Sequence, residues 1–395
     1  MKILSIVSAG YEQGGAETTV VSYNKIFQKL GHKVKTISSN SRPEIPHYSD
    51  FEFNAIPTKG IKSYAYTLFN PSAFKATKKV LADFQPDVVL LNTMQQVTPS
   101  VLLLLRHYPS IQCIHGPEAF TTSLLAWHMD KSSFKSQDYD LSNLTLSGKI
   151  RYFILCRVYV PAYKLGFRNI DKFLVFSSFT RDILKKDGFT MKPISFIPLG
   201  IELPNTRTTV KRKANTIVYV GRLEKFKGVM DLINAIPEVL KKIPNARLEI
   251  AGEGSAALEL RQRVDQLGIK QSVSFKDRIS QLSVAKLYSC ASVVVMPSTW
   301  PEPFGKVGIE AMSRGTPVIA TDVGGVRDWL HDRVNGFLVK PSDPSQLSRA
   351  IVKILSDTKL REKLSKNARK TGAGFTAEKF AQRLLGLIKE TAGQG

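Results

Sequence analysis

The densest group of chemically useful side chains lies in one short segment, residues 297–312, which reads PSTWPEPFGKVGIEAM. Its two glutamates, Glu302 and Glu310, flank Gly305, where the pattern predicts the start of a helix. Unpaired N–H groups at a helix start bind phosphate, and carboxylates accept hydrogen bonds from vicinal sugar hydroxyls. The segment therefore indicates a sugar-nucleotide site. The alternative is an ordinary helix start, because acidic residues favour that position anyway.

A second group follows a predicted strand at 216–220, in the segment VGRLEKFKG of residues 220–228. Arg222 and Lys227 are five positions apart there and can hold a diphosphate, arginine through paired N–H groups and lysine as a point charge. The alternative is a pair of solvated surface cations. Residues 251–254, AGEG, predict a tight turn that carries Glu253 and is a weak signal by itself.

Two further signals lie in the first half of the chain. Gly14 and Gly15 follow the first predicted strand, and a glycine pair lets the backbone approach a ligand closely. The segment lacks the GxGxxG spacing of nicotinamide-binding proteins. Of the six histidines, only His115 ends a predicted strand, although a lone histidine is more often structural.

The elements that must position these residues alternate between short β-branched runs and helical patterns, which predicts two successive doubly wound α/β domains. In the first half we expect strands at 2–7, 33–37, 88–91, 111–114, 172–176 and 194–197, and helices at 16–30, 71–84, 97–107, 149–166 and 178–187. In the second half we expect strands at 216–220, 247–251, 272–275, 293–296, 318–320 and 337–339, and helices at 229–243, 256–267, 282–290, 305–314 and 346–355.

The same pattern predicts the domain organisation. We expect an N-terminal domain over residues 1–200, a linker at 201–213 and a C-terminal domain over 214–374. A helix at 377–390, within a terminal segment 375–395, can cross back to the first domain. Ligands of doubly wound folds bind at the carboxyl ends of the strands, where all the motifs above lie.

Composition sets the remaining bounds. The 395 residues are 43% hydrophobic and carry 56 Lys and Arg against 33 Asp and Glu, a net charge of +23 that attracts polyanions. The apolar runs end well short of the ~20 residues that cross a bilayer. The apolar start of the chain runs into a helical pattern, which predicts a buried strand and no export signal. Cys113, Cys156 and Cys290 are widely spaced, as in a reduced cytosol.

Taken in order, these motifs resemble those of the retaining, nucleotide-sugar-dependent glycosyltransferases of family four. The resemblance spans essentially the whole chain and is most specific at residues 216–340. It implies the GT-B fold, an α/β architecture of two Rossmann-like domains that face each other across a cleft. The motifs that carry it are Gly14-Gly15, His115-Gly116, Gly221-Arg222, Lys227-Gly228, Gly252-Glu253-Gly254, Glu302 with Glu310, and the segment GTPVIA at 315–320.

The resemblance also implies roles for individual residues. Arg222 and Lys227 would hold the donor diphosphate, and Glu310 the ribose hydroxyls. Glu302 would hold the donor sugar, and His115 would lie at the transferred sugar. His115, Arg222, Lys227 and Glu302 are therefore the expected catalytic set, and the other expected donor-binding residues are Gly14, Gly15, Glu253, Ile279, Phe304, Gly305, Lys306 and Val307.

The implied reaction transfers a hexose-type sugar from a nucleoside diphosphate, UDP being favoured because it is the commonest in the family. The anomeric configuration is retained, and the cationic groups stabilise the departing diphosphate. No metal or other cofactor is expected. The Asp138-Tyr139-Asp140 motif lies in a polar segment with no preceding strand, and we interpret it as a solvated loop.

The acceptor side is signalled by a stretch, residues 59–79, that mixes lysines and aromatic residues without an acid. Such a stretch suits an anionic membrane surface, and the alternative is a helix face with solvated charges. We expect a membrane-held lipid or lipid-linked glycan acceptor, in cell-envelope glycan synthesis at the cytoplasmic face of the membrane. The residues concerned are Lys59, Lys62, Tyr64, Tyr66, Phe69, Phe74, Lys75, Lys78 and Lys79.

Two other functions remain open at this stage. The charge of +23 would suit a nucleic-acid-binding protein, although no known nucleic-acid-binding motif is present and the basic residues are spread over both halves. A nucleotide-sugar epimerase could use the same fold, because fold alone does not fix the reaction.

Overall fold

The computed structural model describes residues 1–11, 14–56, 68–94, 96–116, 155–186, 192–202 and 213–394, with the single positions 66, 146, 153 and 188. These residues form two compact units. The first unit contains the described residues up to Gly200 and those from Ala377 onward, and the second runs from Ile201 to Thr376. In the described part of the chain, no helix is long and apolar enough to cross a membrane.

A parallel sheet forms the centre of the first unit. Its described strands are β1 (Lys2–Ala9), β2 (Lys33–Ser39), β3 (Phe51–Phe53), β4 (Val88–Leu91), β5 (Ser110–Ile114), β6 (Lys172–Val175) and β7 (Ile194–Phe196). They lie in the order β3-β2-β1-β4-β5-β6-β7. The central strand β4 is continuously apolar because both faces of the sheet are covered.

Helices cover that sheet. In the described residues they are α1 (Gly15–Lys29), α2 (Pro71–Phe84), α3 (Thr98–Leu102), α4 (Val160–Gly166), α5 (Ser178–Lys186) and the last helix of the chain, α12 (Ala377–Thr391). The Asn70 side chain caps α2 by accepting hydrogen bonds from the N–H groups of Ser72 and Ala73. Helix α12 packs against α1 through a buried apolar face that includes Phe380.

The second unit has its own parallel sheet, described over β8 (Thr216–Val220), β9 (Arg247–Ala251), β10 (Val273–Lys276), β11 (Val293–Met296), β12 (Val318–Thr321) and β13 (Gly336–Val339). Their order is β10-β9-β8-β11-β12-β13. The helices are α6 (Val229–Lys242), α7 (Ala257–Gln266), α8 (Gln281–Cys290), α9 (Lys306–Ser313), α10 (Pro344–Ser356) and α11 (Thr358–Gly372).

These two sheets confirm the expected α/β class of two doubly wound Rossmann-like sheets. Four strands, β4, β8, β9 and β11, have the expected bounds, and the other expected strands shift by one or two residues at one end or, for β10, by one residue at both ends. The expected linker contributes its first residue to the second unit, since Ile201 is buried and forms a β-bridge with Thr376. Residues 203–212 of that linker lie outside the described residues.

Two described elements were not expected, and two expected helices have different bounds. The sequence pattern does not predict β3, which has only three residues and exists because it pairs with β2. It also does not predict α11, where Leu364 and Ala368 are among the few buried side chains of a very polar segment. The helix expected at 97–107 ends at Leu102 and continues as a 3-10 turn. The helix expected at 149–166 is described from Val160, after a π-helical turn.

Glycines bring the loops at the carboxyl edge of the second sheet into backbone contact. Gly228 has a φ of +66°, and a Cβ there would lie 1.8 Å from the carbonyl oxygen of Pro297. A Cβ on Gly252 would lie 1.9 Å from the carbonyl oxygen of Gly221. No residue with a side chain can replace these glycines without moving the loops apart. The loops after β8, β9 and β11 are therefore fixed relative to one another.

We predict that Gly228→Ala destabilises the protein more than Gly268→Ala does. Gly268 has nearly the same φ, +67°, but nothing lies within 4 Å of a Cβ there. The control should therefore lose only the ~1 kcal/mol of left-handed strain, and Gly228→Ala should lose about 1–3 kcal/mol more from overpacking. Urea unfolding measures both, and equal losses would show that the backbone contact with Pro297 contributes nothing.

Candidate active site

The carboxyl edge of the second sheet holds an ion pair shielded from water. Lys227 lies in the 3-10 turn after β8, and Glu302 lies in the loop after β11. Lys227 Nζ is 2.5 Å from Glu302 Oε1, and the two side chains are only 16% and 10% exposed. Ser298 Oγ donates a hydrogen bond of 2.6 Å to the same carboxylate oxygen. The carboxylate is thus held by two donors that come from different loops.

The pKa of Glu302 reflects these contacts. Burial raises it, but the charge and hydrogen bond of Lys227 and the hydrogen bonds of Ser298 and Trp300 together lower it by more. The net pKa lies below the ordinary glutamate value, so Glu302 is ionised at neutral pH. A buried carboxylate fixed in this way can accept a hydrogen bond from a ligand hydroxyl while it orients the lysine ammonium.

Aromatic rings hold the cations of this edge. The Lys227 ammonium lies 5.0 Å from the centre of the Trp300 ring, and Phe226 lies beneath both Lys227 and Arg222 at 5.7 and 5.2 Å. Cation–π attraction of this kind limits the directions in which a long side chain points. Arg222 is exposed, with its guanidinium over the ring. The structure therefore brings Arg222 and Lys227 together on one aromatic platform.

The helix start expected near Gly305 is confirmed, with α9 beginning at Lys306 and continuing through Val307. Gly305 caps it with a φ of +84°. The buried Trp329 supports this turn, since its Nε1–H donates to the Phe304 carbonyl at 2.6 Å. The Trp329 ring also fills the space where a Cβ on Gly308 would lie, 2.1 Å away. The sequence does not single out Trp329, because no local pattern ties it to a turn 25 residues earlier.

Glu310 lies within α9 and is half-buried. Burial raises its pKa, and the charges of Lys306 and Arg314 with the buried Tyr288 phenol lower it by less. The net pKa is therefore above the ordinary value. A carboxyl group in this setting gains from hydroxyl donors, which replace the lost water.

Glu253 and Ile279, the remaining expected donor-binding residues of this unit, lie on two adjacent loops. Glu253 is exposed, and its Oε1 accepts the N–H of Arg278 at 3.3 Å. Its carbonyl accepts the N–H of Leu223 at 2.8 Å, which ties this turn to the loop that carries Arg222. Ile279 is half-buried and precedes the Ser280 cap of α8. The structure thus brings the expected residues of the second unit to one edge of one sheet.

In the first unit, Gly14 caps α1 and Gly15 begins it, and both are exposed. Glu17, which the sequence pattern does not single out, is buried in the first turn of that helix. Burial raises the pKa of Glu17, and hydrogen bonds from backbone N–H groups lower it by less. An acid two residues after a glycine pair was the available signal.

His115 follows β5 and is half-buried. Its Nε2 lies 3.2 Å from Asn92 Oδ1, and its ring lies on Phe176 with 4.6 Å between ring centres. Asn92 Oδ1 also accepts the Tyr23 hydroxyl at 2.6 Å. The sequence pattern does not single out Asn92 and Tyr23, since their shared contact joins positions far apart in the chain.

The expected acceptor residues are described only in part. Lys75, Lys78 and Lys79 are exposed on α2. Phe69 is exposed and its ring lies 5.5 Å from that of the half-buried Phe74. Tyr66 is half-buried. Outside the described residues lie Lys59, Lys62, Tyr64, Asp138 and Asp140.

No group of three or more His, Cys, Asp or Glu side chains that could hold a metal ion occurs among the residues that the structure describes.

Comparison with known proteins places the chain in a family. Residues 13–204 match the family model described as Glycosyltransferase Family 4, and residues 205–371 match Glycosyl transferases group 1. A D-inositol 3-phosphate glycosyltransferase of Jonesia denitrificans is 33% identical over 186 residues, 45% of this chain and 44% of that protein. An uncharacterised glycosyltransferase of Methanocaldococcus jannaschii is 41% identical over 154 residues, 39% of each chain. The chain thus spans about two-fifths of the length of these two relatives.

Other matches extend over the whole chain. The phosphatidyl-myo-inositol mannosyltransferase of Mycobacterium tuberculosis is 24% identical over 394 residues, 97% of this chain and 94% of that protein. The structure of sucrose-phosphate synthase from Thermosynechococcus elongatus has a TM-score of 0.78 at 23% identity and covers 100% of both chains. Anabaena HepE, in complex with UDP and glucose, has a TM-score of 0.70 at 19% identity, covering 99% of this chain and 100% of that one. These structures show the shared GT-B fold, and the two family models show that the chain belongs to the family 4 glycosyltransferases.

Proposed function

We propose that the protein transfers a hexose-type sugar, with retention of configuration, from a nucleoside-diphosphate sugar to an acceptor hydroxyl. The observation that carries the proposal is the shielded Lys227–Glu302 pair, which lies beside Arg222 on one aromatic platform. UDP is the favoured nucleotide. The acceptor is a membrane-held lipid or lipid-linked glycan in cell-envelope glycan synthesis, used at the cytoplasmic face of the membrane.

The charges of the second unit suit a reaction in which a diphosphate departs. Arg222 and Lys227 supply positive charge where the leaving group develops negative charge, and the first turn of α9 adds N–H donors. Glu302 keeps the ammonium in place before the reaction, so little reorganisation is needed as the bond breaks. A leaving-phosphate oxygen can then take the acceptor proton. This supports transfer without a metal ion or another cofactor.

The other donor contacts follow from the chemistry of each residue. Glu310 would accept hydrogen bonds from the ribose hydroxyls, and Glu302 from a hydroxyl of the sugar. The loops of Glu253 and Ile279 would support the base and ribose. In the first unit, the backbone of Gly14 and Gly15 would contact the phosphates or the sugar. His115 would lie at the transferred sugar.

The names of similar proteins support the finer parts of the proposal. HepE is described in complex with UDP and glucose, which favours a UDP-sugar donor here. The mycobacterial relative is named for mannosyl transfer to phosphatidyl-myo-inositol, a lipid, which favours a lipid acceptor. The exposed lysines of α2 beside the exposed Phe69 suit an anionic membrane surface.

The direct test is a screen of nucleotide sugars for thermal stabilisation, followed by a transfer assay with and without EDTA. A donor at about 100 times its Kd should stabilise the protein by roughly 2.7 kcal/mol. The rate of product formation should be unchanged by EDTA, because Arg222 and Lys227 supply the charge. An absence of stabilisation by every nucleotide sugar, an epimerised donor as the sole product, or activity that EDTA removes and manganese restores would each contradict the proposal.

Lys227→Ala should lower kcat by about 10²–10³, the effect of removing one contact that stabilises the transition state. Lys225→Ala is the matched control, because that lysine lies in the same turn but pairs with Glu259 at an exposed position. The control should retain wild-type kinetics. If Lys227→Ala raised only the KM of the donor, or if both variants lost the same activity, Lys227 would not act on the leaving group.

Reversing the charges of Lys75, Lys78 and Lys79 to Glu should weaken binding to anionic vesicles by at least two orders of magnitude, at ~1 kcal/mol per basic residue near the surface. The matched control reverses three exposed lysines of α11, namely Lys363, Lys366 and Lys370. Vesicle co-sedimentation and donor titration measure both triple variants. Donor affinity should stay unchanged in the first variant. An equal loss of vesicle binding in both variants would show that net charge alone causes the effect and that α2 is not a membrane-binding surface.

A further inference from the structure

Five side chains of the first unit form a closed ring of contacts that includes His115. Asn92 contacts His115 and Tyr23, and His115 lies on Phe176. Phe380 of α12 closes the ring, with its centre 6.1 Å from that of Tyr23 and 5.9 Å from that of Phe176. Apart from His115, all of these residues are buried. The ring therefore joins His115 to the residue that follows strand β4, to helix α1 and to the last helix of the chain.

The short contact between Tyr23 and Asn92 identifies which amide atom faces them. At 2.6 Å it is shorter than an ordinary N–H···O hydrogen bond and suits a phenol that donates to an oxygen. The same oxygen lies 3.2 Å from His115 Nε2. A carbonyl oxygen only accepts, so His115 must carry a proton on Nε2. In the neutral ring, Nδ1 is then the nitrogen with the lone pair.

The other end of the Asn92 amide shows what this arrangement costs. Asn92 is 3% exposed, and its Nδ2 has no hydrogen-bond partner among the described residues. An unpaired buried donor is unfavourable, and the two hydrogen bonds that Oδ1 accepts from Tyr23 and His115 offset this cost. In this orientation the amide oxygen serves Tyr23 and His115, while the amide nitrogen of Asn92 has no hydrogen-bond partner among the described residues.

Helix α12 supports both neighbours of this amide. Phe380 is 3% exposed and lies against Tyr23, which donates to Asn92, and against Phe176, which carries the His115 ring. A change in Phe380 would therefore reach His115 by two routes. The last helix of the chain thus packs around His115, although the two are more than 250 residues apart in the sequence.

We infer that Asn92 is a positioning residue that fixes the proton of His115 on Nε2, and that Tyr23 and Phe380 hold Asn92 and the ring in this arrangement. The value of this device for catalysis rests on the proposed function, in which His115 lies at the transferred sugar. The arrangement itself does not depend on that function, so the two can be tested separately.

The first test detects the ring proton directly. In protein labelled with ¹⁵N-histidine, His115 should show a hydrogen-bonded Nε2–H proton, assigned by its loss in His115→Gln. Asn92→Ala should speed the exchange of this proton with water by about tenfold, as expected for the loss of one hydrogen bond. Asn24→Ala is the matched control, because it removes a buried asparagine whose partners are Ser5 and Thr36. Equal exchange in wild type and Asn92→Ala would overturn the inference.

Milder variants keep the inference testable if Asn92→Ala folds poorly. Tyr23→Phe removes only the hydroxyl, and Phe380→Leu removes only the ring, so each should speed the same exchange to a smaller degree. Leu387→Ala is the control on α12, since its residue lies two turns beyond Phe380 on the same helix. If Leu387→Ala had the same effect as Phe380→Leu, α12 would act through general stability.

Kinetics then separate the two proposals. Asn92→Ala should lower kcat by up to about 10²-fold, the scale of a small misplacement at a reacting centre, with the KM of the donor unchanged. If exchange changes as expected while His115→Gln leaves transfer intact, the role of His115 in the proposed function is wrong and the positioning of its ring stands. If transfer falls without any change in exchange, the positioning is wrong and the catalytic role stands.

Discussion

The second unit depends most on the ion pair between Lys227 and Glu302. Two desolvated charges are tolerated only when each has a partner, and removing one partner of such a pair typically costs about 3–5 kcal/mol. The pair joins the loop after β8 to the loop after β11, and Ser298 adds a third point of attachment. Both loops must therefore keep their relative position for the protein to remain stable. In the proposed function, the arrangement that stabilises the fold is the same one that presents a fixed cation to the donor diphosphate.

Backbone packing also fixes the relative position of these loops. Gly228 lies against Pro297, and Gly324, with a φ of +58°, lies against the backbone of Glu302. Trp329 holds the Phe304 carbonyl and occupies the space beside Gly308. Each of these positions requires glycine because a neighbouring group occupies the place where a Cβ would lie. In the proposed function, rigid loops of this kind suit catalysis by preorganised charge, since the groups would not need to move as the diphosphate departs.

The sequence predicts the parallel strands well because burial on both faces leaves continuous apolar runs, as in β4 and β11. It also predicts where the charged motifs lie, since they follow those strands directly. It does not predict β3, whose three residues depend on pairing with β2, or the polar helix α11. Trp329 and Asn92 are missed for the same reason. Their contacts join distant positions, and no local pattern encodes a partner 20 or more residues away.

The two glutamates of the segment 297–312 show how one motif gives two electrostatic roles. The pKa of Glu302 is lowered, so its charge stabilises the fold above the unfolded pKa, and this stabilisation is lost as the pH falls through the folded pKa. The pKa of Glu310 is raised, so the cost of its ionisation is absent below the unfolded pKa and is complete above the folded one. Glu302 is thus satisfied by the protein alone, through Lys227 and Ser298. Glu310 is under-solvated, and hydroxyl donors from a bound ribose would lower its pKa by replacing the lost hydration. In the proposed function, donor binding and the ionisation of Glu310 are therefore linked, and each makes the other more favourable.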